Sequence, residues 1–183
     1  MHVTQSADPA GEQPGLPAQW QPGARVPDLQ LPDSDGNTRL LSDLVGGDPT
    51  LLHFYRGWWC PKERAYFRVL AALQDEAEVA YTRFISISID PPEVAAAYRA
   101  GLDARWTFLS DADRTYVDAL GLRETTDTVH DPYTPTCVVL RPDLTVASFY
   151  RGYWFWGRPT AEELRRDFRA VTRELRPDWD PPS

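Results

Sequence analysis

Cys60 is the residue around which this sequence arranges its chemistry. It lies in Phe54-Tyr55-Arg56-Gly57-Trp58-Trp59-Cys60-Pro61-Lys62-Glu63. The apolar run Leu51-Leu52-His53-Phe54-Tyr55 reads as a buried strand that delivers the thiol to the start of a helix. Unpaired backbone N–H groups and the positive end of the helix dipole favour thiolate over thiol there, so the context marks a nucleophile. Pro61 suits the first helical position. Glu63 occupies the place of a second thiol in a Cys-x-x-Cys pair, so dithiol chemistry between neighbours is not expected.

The flanking charges each carry two readings. Arg56, four residues before Cys60, either neutralises a thiolate and orients an oxidant or pairs at the surface. Lys62, the only lysine in the chain, reads first as a solvated helix residue and second as a charge that assists the thiolate. Glu63 in the first helical turn is expected to stabilise the helix N-terminus, and its charge tends to raise the Cys60 pKa. Cys137, inside the apolar strand Thr136 to Leu140, reads as a core residue rather than a resolving cysteine. His53 and His130 have no ligand-like spacing around them, so no metal is expected. Tyr150 to Pro159 packs five aromatics with Arg151 and Arg158; such a segment either anchors an interface or covers the core.

The elements that must position these residues follow from pattern. Asp28 to Leu31 and Thr38 to Leu41 flank a Gly-Asn turn and read as a hairpin. A strand at 50–55 leads to Cys60, and the next helix runs to about Ala77, with Ala65, Val69 and Leu73 on one face. Tyr81 to Ile89 is a strand, Asp90 to Ala100 a helix, Trp106 to Leu109 a strand, and Asp113 to Leu120 a second short helix ended by Gly121. Thr136 to Leu140 and Thr145 to Tyr150 read as a hairpin. The last helix opens on the capping box Thr160-Ala161-Glu162-Glu163. The order predicts an α/β fold with a central mixed sheet, helices on both faces and an N-terminal β-hairpin.

At 183 residues, 42% hydrophobic and 25% charged, the chain fits one globular domain. Residues 1–23, rich in Pro, Gly and Gln, read as a flexible arm, and 24–183 as the domain. The net charge of −8, with no basic run, argues against nucleic acid. No apolar run is long enough to span a bilayer, and the N-terminus does not read as a signal peptide. Two cysteines are too few for a disulfide scaffold, which fits a reducing cytoplasm.

The chain resembles the AhpC/TSA, or redoxin, peroxiredoxin-like branch of the thioredoxin-fold proteins from about Pro22 to Trp179. The resemblance rests on Pro22 to Leu29, Leu41-Ser42-Asp43-Leu44, Phe54-Tyr55-Arg56-Gly57 before Trp59-Cys60-Pro61, Ser110 to Asp113, and Trp156 to Thr160 with Glu163-Leu164. It implies a thioredoxin-like fold. It also implies a cis bond at Pro135, in Thr134-Pro135-Thr136, lying against the cysteine. A peroxiredoxin Pro-x-x-x-Thr-x-x-Cys motif aligned on Cys60 places His53 for the proline and Gly57 for the threonine. The family arginine is replaced by Thr134, with Arg56 or Arg151 as substitutes.

The implied activity is a one-cysteine, thiol-dependent reduction of hydroperoxides through a Cys60 sulfenic acid. An external thiol, either thioredoxin-like or of low molecular weight, would resolve it. Cys60, Arg56, Thr134 and Pro135 are the expected catalytic residues. Gly57, Trp59, Glu63, Arg151, Trp154 and Trp156 are expected to touch substrate or partner. No cofactor and no membrane or nucleic-acid partner is expected; the resemblance allows a homodimer, though no residue pattern fixes an interface. The alternative is a non-enzymatic thioredoxin-fold binding or redox-sensing module.

Overall fold

The computed structural model describes residues 17–152 and 157–178. A short antiparallel hairpin comes first, β1 (Gln30–Pro32) with β2 (Thr38–Leu40). Its turn is tied by Asp33, whose Oδ1 accepts from the backbone N–H of Asp35 (3.0 Å) and Asn37 (2.9 Å). A five-residue helix, α1 (Leu41–Val45), follows directly.

The main sheet takes its centre from β3 (Thr50–Phe54), every residue of which is buried. A strand covered on both faces has no polar alternation to display, which is why 51–55 reads as a continuous apolar run. From β3 the chain passes through α2 (Pro61–Val79) to β4 (Arg83–Ser88), then through α3 (Pro92–Gly101) to β5 (Thr107–Ser110). These three strands are parallel. The chain returns as β6 (Thr136–Leu140), antiparallel to β3, and β7 (Val146–Arg151), antiparallel to β6, before α4 (Ala161–Leu175). The sheet order is β5-β4-β3-β6-β7, the mixed sheet that the element order predicts.

Alternate residues of β3, with Tyr55 just beyond it, feed two cores. Leu52 and Phe54 join Trp20, α1 and the 117–122 segment on one face. Leu51 and Tyr55 join Tyr66, Phe67 and Leu70 of α2, Ala95 of α3, and Leu164, Phe168 and Val171 of α4 on the other. Each fully buried aliphatic or aromatic side chain stabilises by roughly 1.5–3 kcal/mol. Residues 18–20, within the arm expected from the sequence, form a 3-10 turn, and Trp20 is fully buried with its Nε1 donating to Leu120 O at 2.9 Å.

Two expectations differ from the structure. Residues 113–120 form turns rather than a helix. Arg114 takes a positive φ of 57°, and the Asp111 carboxylate accepts from the Thr115 and Tyr116 N–H groups, replacing helical partners. The Thr134–Pro135 bond is trans, because no described peptide bond is cis. Thr134 N–H donates to Leu122 O (2.6 Å) and Gly152 N–H to Pro135 O (2.6 Å), so the segment already runs extended into β6. Nothing there opposes the ordinary trans preference of about 0.5–1 kcal/mol. Among the described residues no helix is long and apolar enough to cross a membrane.

Candidate active site

Strand β3 and helix α2 place Cys60. The chain leaves β3 at Phe54, crosses Gly57, and enters α2 with Cys60 as its N-cap and Pro61 at the first helical position. No side-chain hydrogen bond caps this helix start, so its first N–H groups and the positive end of its dipole lie beside the thiol, with Glu63 the acidic residue of the first turn. The crossing is tight. Gly57 has φ 152°, and a Cβ there would lie 2.5 Å from Trp59 Nε1 and 3.1 Å from Asp90 Oδ1. Only glycine fits, which explains why no threonine hydroxyl stands at this position. Asp90 accepts from Trp58 N–H at 2.9 Å and from Ser88 Oγ at 3.1 Å, pinning the approach to the cysteine.

Cys60 is 2% exposed, yet it lines a cavity of about 230 Å³. The charged groups around that cavity are Arg56, Lys62, Glu124, Asp127 and Arg158, with Thr126, Thr128, Val129 and Pro135 between them. Arg56 touches two partners: Nη1 faces Cys60 Sγ at 3.9 Å and Nη2 donates to Asp127 Oδ2 at 2.6 Å. Lys62 is held below the ordinary lysine value by desolvation, against the pull of Cys60, and further by Arg158 and Arg56. Three cations, Arg56, Lys62 and Arg158, thus share the cavity with the thiol.

Glu63 departs from its expected role. Instead of serving the helix end it turns inward, fully buried, and accepts from Arg158 Nη2 at 2.6 Å. Its other oxygen faces His53 Nε2 at 3.7 Å. Burial alone would raise its pKa, but His53 and the Arg158 charge outweigh it and the carboxyl sits below its ordinary value. Burial pushes the His53 imidazole below its ordinary value, against the pull of Glu63, and the ring packs among Tyr55, Tyr66 and Phe67. Arg158 thus links the cavity to a buried carboxylate at the base of α2.

The other expected site residues separate. Pro135 lines the cavity, while Thr134 beside it is engaged by backbone contacts to Leu122 and Thr136. Trp59 carries the Arg56 guanidinium over its ring at 4.9 Å and stacks on His130 at 3.8 Å. Arg151 ends β7, exposed, and is not among the residues lining the cavity. Trp154 and Trp156 lie outside the described residues. Cys137 is buried in β6, its Sγ donating to Tyr66 Oη at 3.6 Å, with burial pushing its thiol up to about 12. Both cysteines are free thiols. No cluster of His, Cys, Asp or Glu among the described residues is arranged to hold a metal.

Sequence reasoning missed Asp127 and His130 as site residues and gave Arg158 no role. Asp127 meets Arg56 across 71 positions and Arg158 meets Glu63 across 95, so neither leaves a local spacing signal.

Comparison with known proteins bears on the family and the fold. Rv1608c of Mycobacterium tuberculosis strain H37Rv, provisionally named a peroxiredoxin, is 36% identical over 104 residues, covering 55% of this chain and 66% of the relative. Rv2521 of the same strain, named likewise, is 32% identical over 103 residues, covering 55% of this chain and 63% of the relative. The matched stretch is thus just under two thirds of either relative's length. Among solved structures, peroxidoxin BcpB from Mycobacterium tuberculosis superposes with a TM-score of 0.70 at 24% identity, covering 85% of this chain and 97% of that one. Reduced Prx3 from Vibrio vulnificus in complex with H2O2 gives 0.72 at 18% identity, covering 84% and 97%. These structural likenesses carry the thioredoxin-type fold alone. The family match itself spans residues 22–149, from the segment before β1 into β7 and including the Cys60 crossing, and on that span the chain belongs to the AhpC/TSA family.

Proposed function

We propose that the protein is a one-cysteine thiol peroxidase. The observation that carries the reading is Cys60 Sγ on a cavity of about 230 Å³ with Arg56 Nη1 3.9 Å away. The thiolate attacks the terminal oxygen of a hydroperoxide and the O–O bond breaks. Sulfur gains that oxygen as a sulfenic acid, and the departing oxygen takes a proton to leave as an alcohol, or as water from H2O2. Arg56 and the helix-start N–H groups face the charge that develops on the leaving oxygen.

An external thiol then condenses with the sulfenic acid, releasing water and forming a mixed disulfide. A second thiol cleaves it, restoring Cys60 and leaving the external disulfide. Cys137 is poorly suited to resolve Cys60: it sits inside a central strand, engaged with Tyr66, and its thiol resists ionisation.

The test is stopped-flow tryptophan fluorescence with H2O2, followed by intact mass. Trp58 and Trp59 adjoin the thiol and report its oxidation. A fast change with a gain of one oxygen, absent in Cys60→Ser, is expected. Loss of two hydrogens would instead make Cys137 the resolving partner. A rate no faster than that of an ordinary free thiol would end the peroxidase reading and favour a binding or redox-sensing module.

A further inference from the structure

Arg56 reaches Cys60 on a long, flexible side chain, and something must fix where its charge points. The partner is Asp127, on the connection between β5 and β6. Its carboxylate is itself immobilised. Oδ1 accepts from the backbone N–H of Val129 at 3.2 Å and of His130 at 3.0 Å, and His130 Nδ1 lies 3.0 Å from Oδ2. Those donors outweigh partial burial and hold the Asp127 carboxyl below its ordinary value. The His130 ring in turn stacks on Trp59 at 3.8 Å, 18° from parallel, and Arg56 lies over the same indole. The loop is anchored from outside as well: Arg114 donates to His130 O at 2.9 Å and Arg123 pairs with Asp131.

We propose that Asp127 is a positioning residue of the Cys60 site, holding Arg56 so that one guanidinium nitrogen faces the sulfur while the other is bound. A planar guanidinium fits such a fork, with two nitrogens serving two partners at once. The carboxylate has a competing effect, since its charge weakens the Arg56 field at the sulfur. On this proposal positioning is the larger of the two. Asp127 also serves two backbone N–H groups and His130, which spread its charge, whereas Arg56 faces the sulfur directly. Losing the anchor therefore costs the thiolate more than losing the opposing charge returns. In turnover the inference rests on the peroxidase reading; the thiol's acidity tests it without that reading.

The experiment follows the pH dependence of iodoacetamide alkylation at Cys60 in the full chain, with H2O2 oxidation measured in parallel. The variants are Asp127→Ala, Asp127→Asn, Asp127→Glu, Arg56→Ala and the double Arg56→Ala/Asp127→Ala. Asp127→Ala should move the alkylation midpoint up by about one pH unit, a tenfold loss of thiolate below the midpoint. Asp127→Glu should recover part of it. The double variant should match Arg56→Ala alone, because Asp127 acts through Arg56.

Should the alanine variant fail to fold, Asp127→Asn keeps an oxygen for the Val129 and His130 N–H groups and should shift the midpoint the same way. A midpoint that falls or stays fixed would overturn the proposal, as would a double variant that adds the two single effects. If H2O2 oxidises no variant, the wild type included, the peroxidase reading fails while the alkylation midpoints still decide the role of Asp127.

Discussion

The buried Glu63–Arg158 pair sets what the residues around Cys60 can tolerate. Removing one member of such a pair leaves the other charge buried without its counterion, which costs about 3 kcal/mol. Glu63→Gln is therefore expected to lower stability by about that amount in urea unfolding. The pH dependence follows from the signs. Glu63 is held below its free value of 4.5, so its stabilisation is present above that pH and lost as the pH falls through its lower folded value. His53 is held below 6.5, so beneath that pH the unfolded chain binds a proton the native one refuses. Both act in one direction: stability should decline from about pH 6.5 downward and more steeply below 4.5, and His53→Gln should remove the first phase. The two thiols should also differ. At pH 8 a thiol reagent should modify Cys60 in the native protein and reach Cys137 only after denaturation, since the Cys137 thiol is pushed up to about 12. Equal labelling of both in the native state would contradict its placement.

At the scale of elements, what was legible in the sequence was what is local. The crossing from strand to cysteine to helix is written in consecutive residues, and α2, β3, β4, β6 and α4 lie close to where periodicity puts them. Helix α2 runs two residues beyond Ala77, to Val79, because its stop is made by Tyr81 at φ 51° with Thr82 N–H closing on Ala77 O, a cap without the usual glycine. The segment 113–120 misled for a related reason: its composition suits a helix, but the Asp111 side chain takes the N–H groups a helix would use. Pro135 was expected cis on family resemblance, which carries no information about the Leu122 and Gly152 contacts that hold this loop. The start of α4 was fully legible, because Thr160 and Glu163 cap each other through backbone N–H groups at 3.2 and 2.7 Å. Thr160→Ala should cost about 1 kcal/mol in thermal or urea unfolding, and Thr160→Ser little.

Across the whole molecule, the long helices and Cys137 share one face of the sheet, while α1, the β1–β2 hairpin, the 117–122 turns and Trp20 close the other. Trp20 is the piece of the N-terminal region that this second core requires. It packs edge-on against Phe54 and tilted against Phe149, and reaches Leu120 O by its indole N–H. Trp20→Ala should lower stability by about 3–5 kcal/mol, which a urea titration would read directly. A change within half a kcal/mol would place the boundary of the folded domain after it. The placement of Lys62 has a consequence of another kind. The chain carries one ε-amine, and that amine lines the cavity holding Cys60. Apart from the α-amine, amine-directed reagents that are spread over the whole surface of an ordinary protein have here a single side-chain target, on the cavity that Cys60 lines. Coupling this protein to a resin, a dye or a sensor chip through lysine would obstruct the centre under study, so immobilisation or labelling should use another handle.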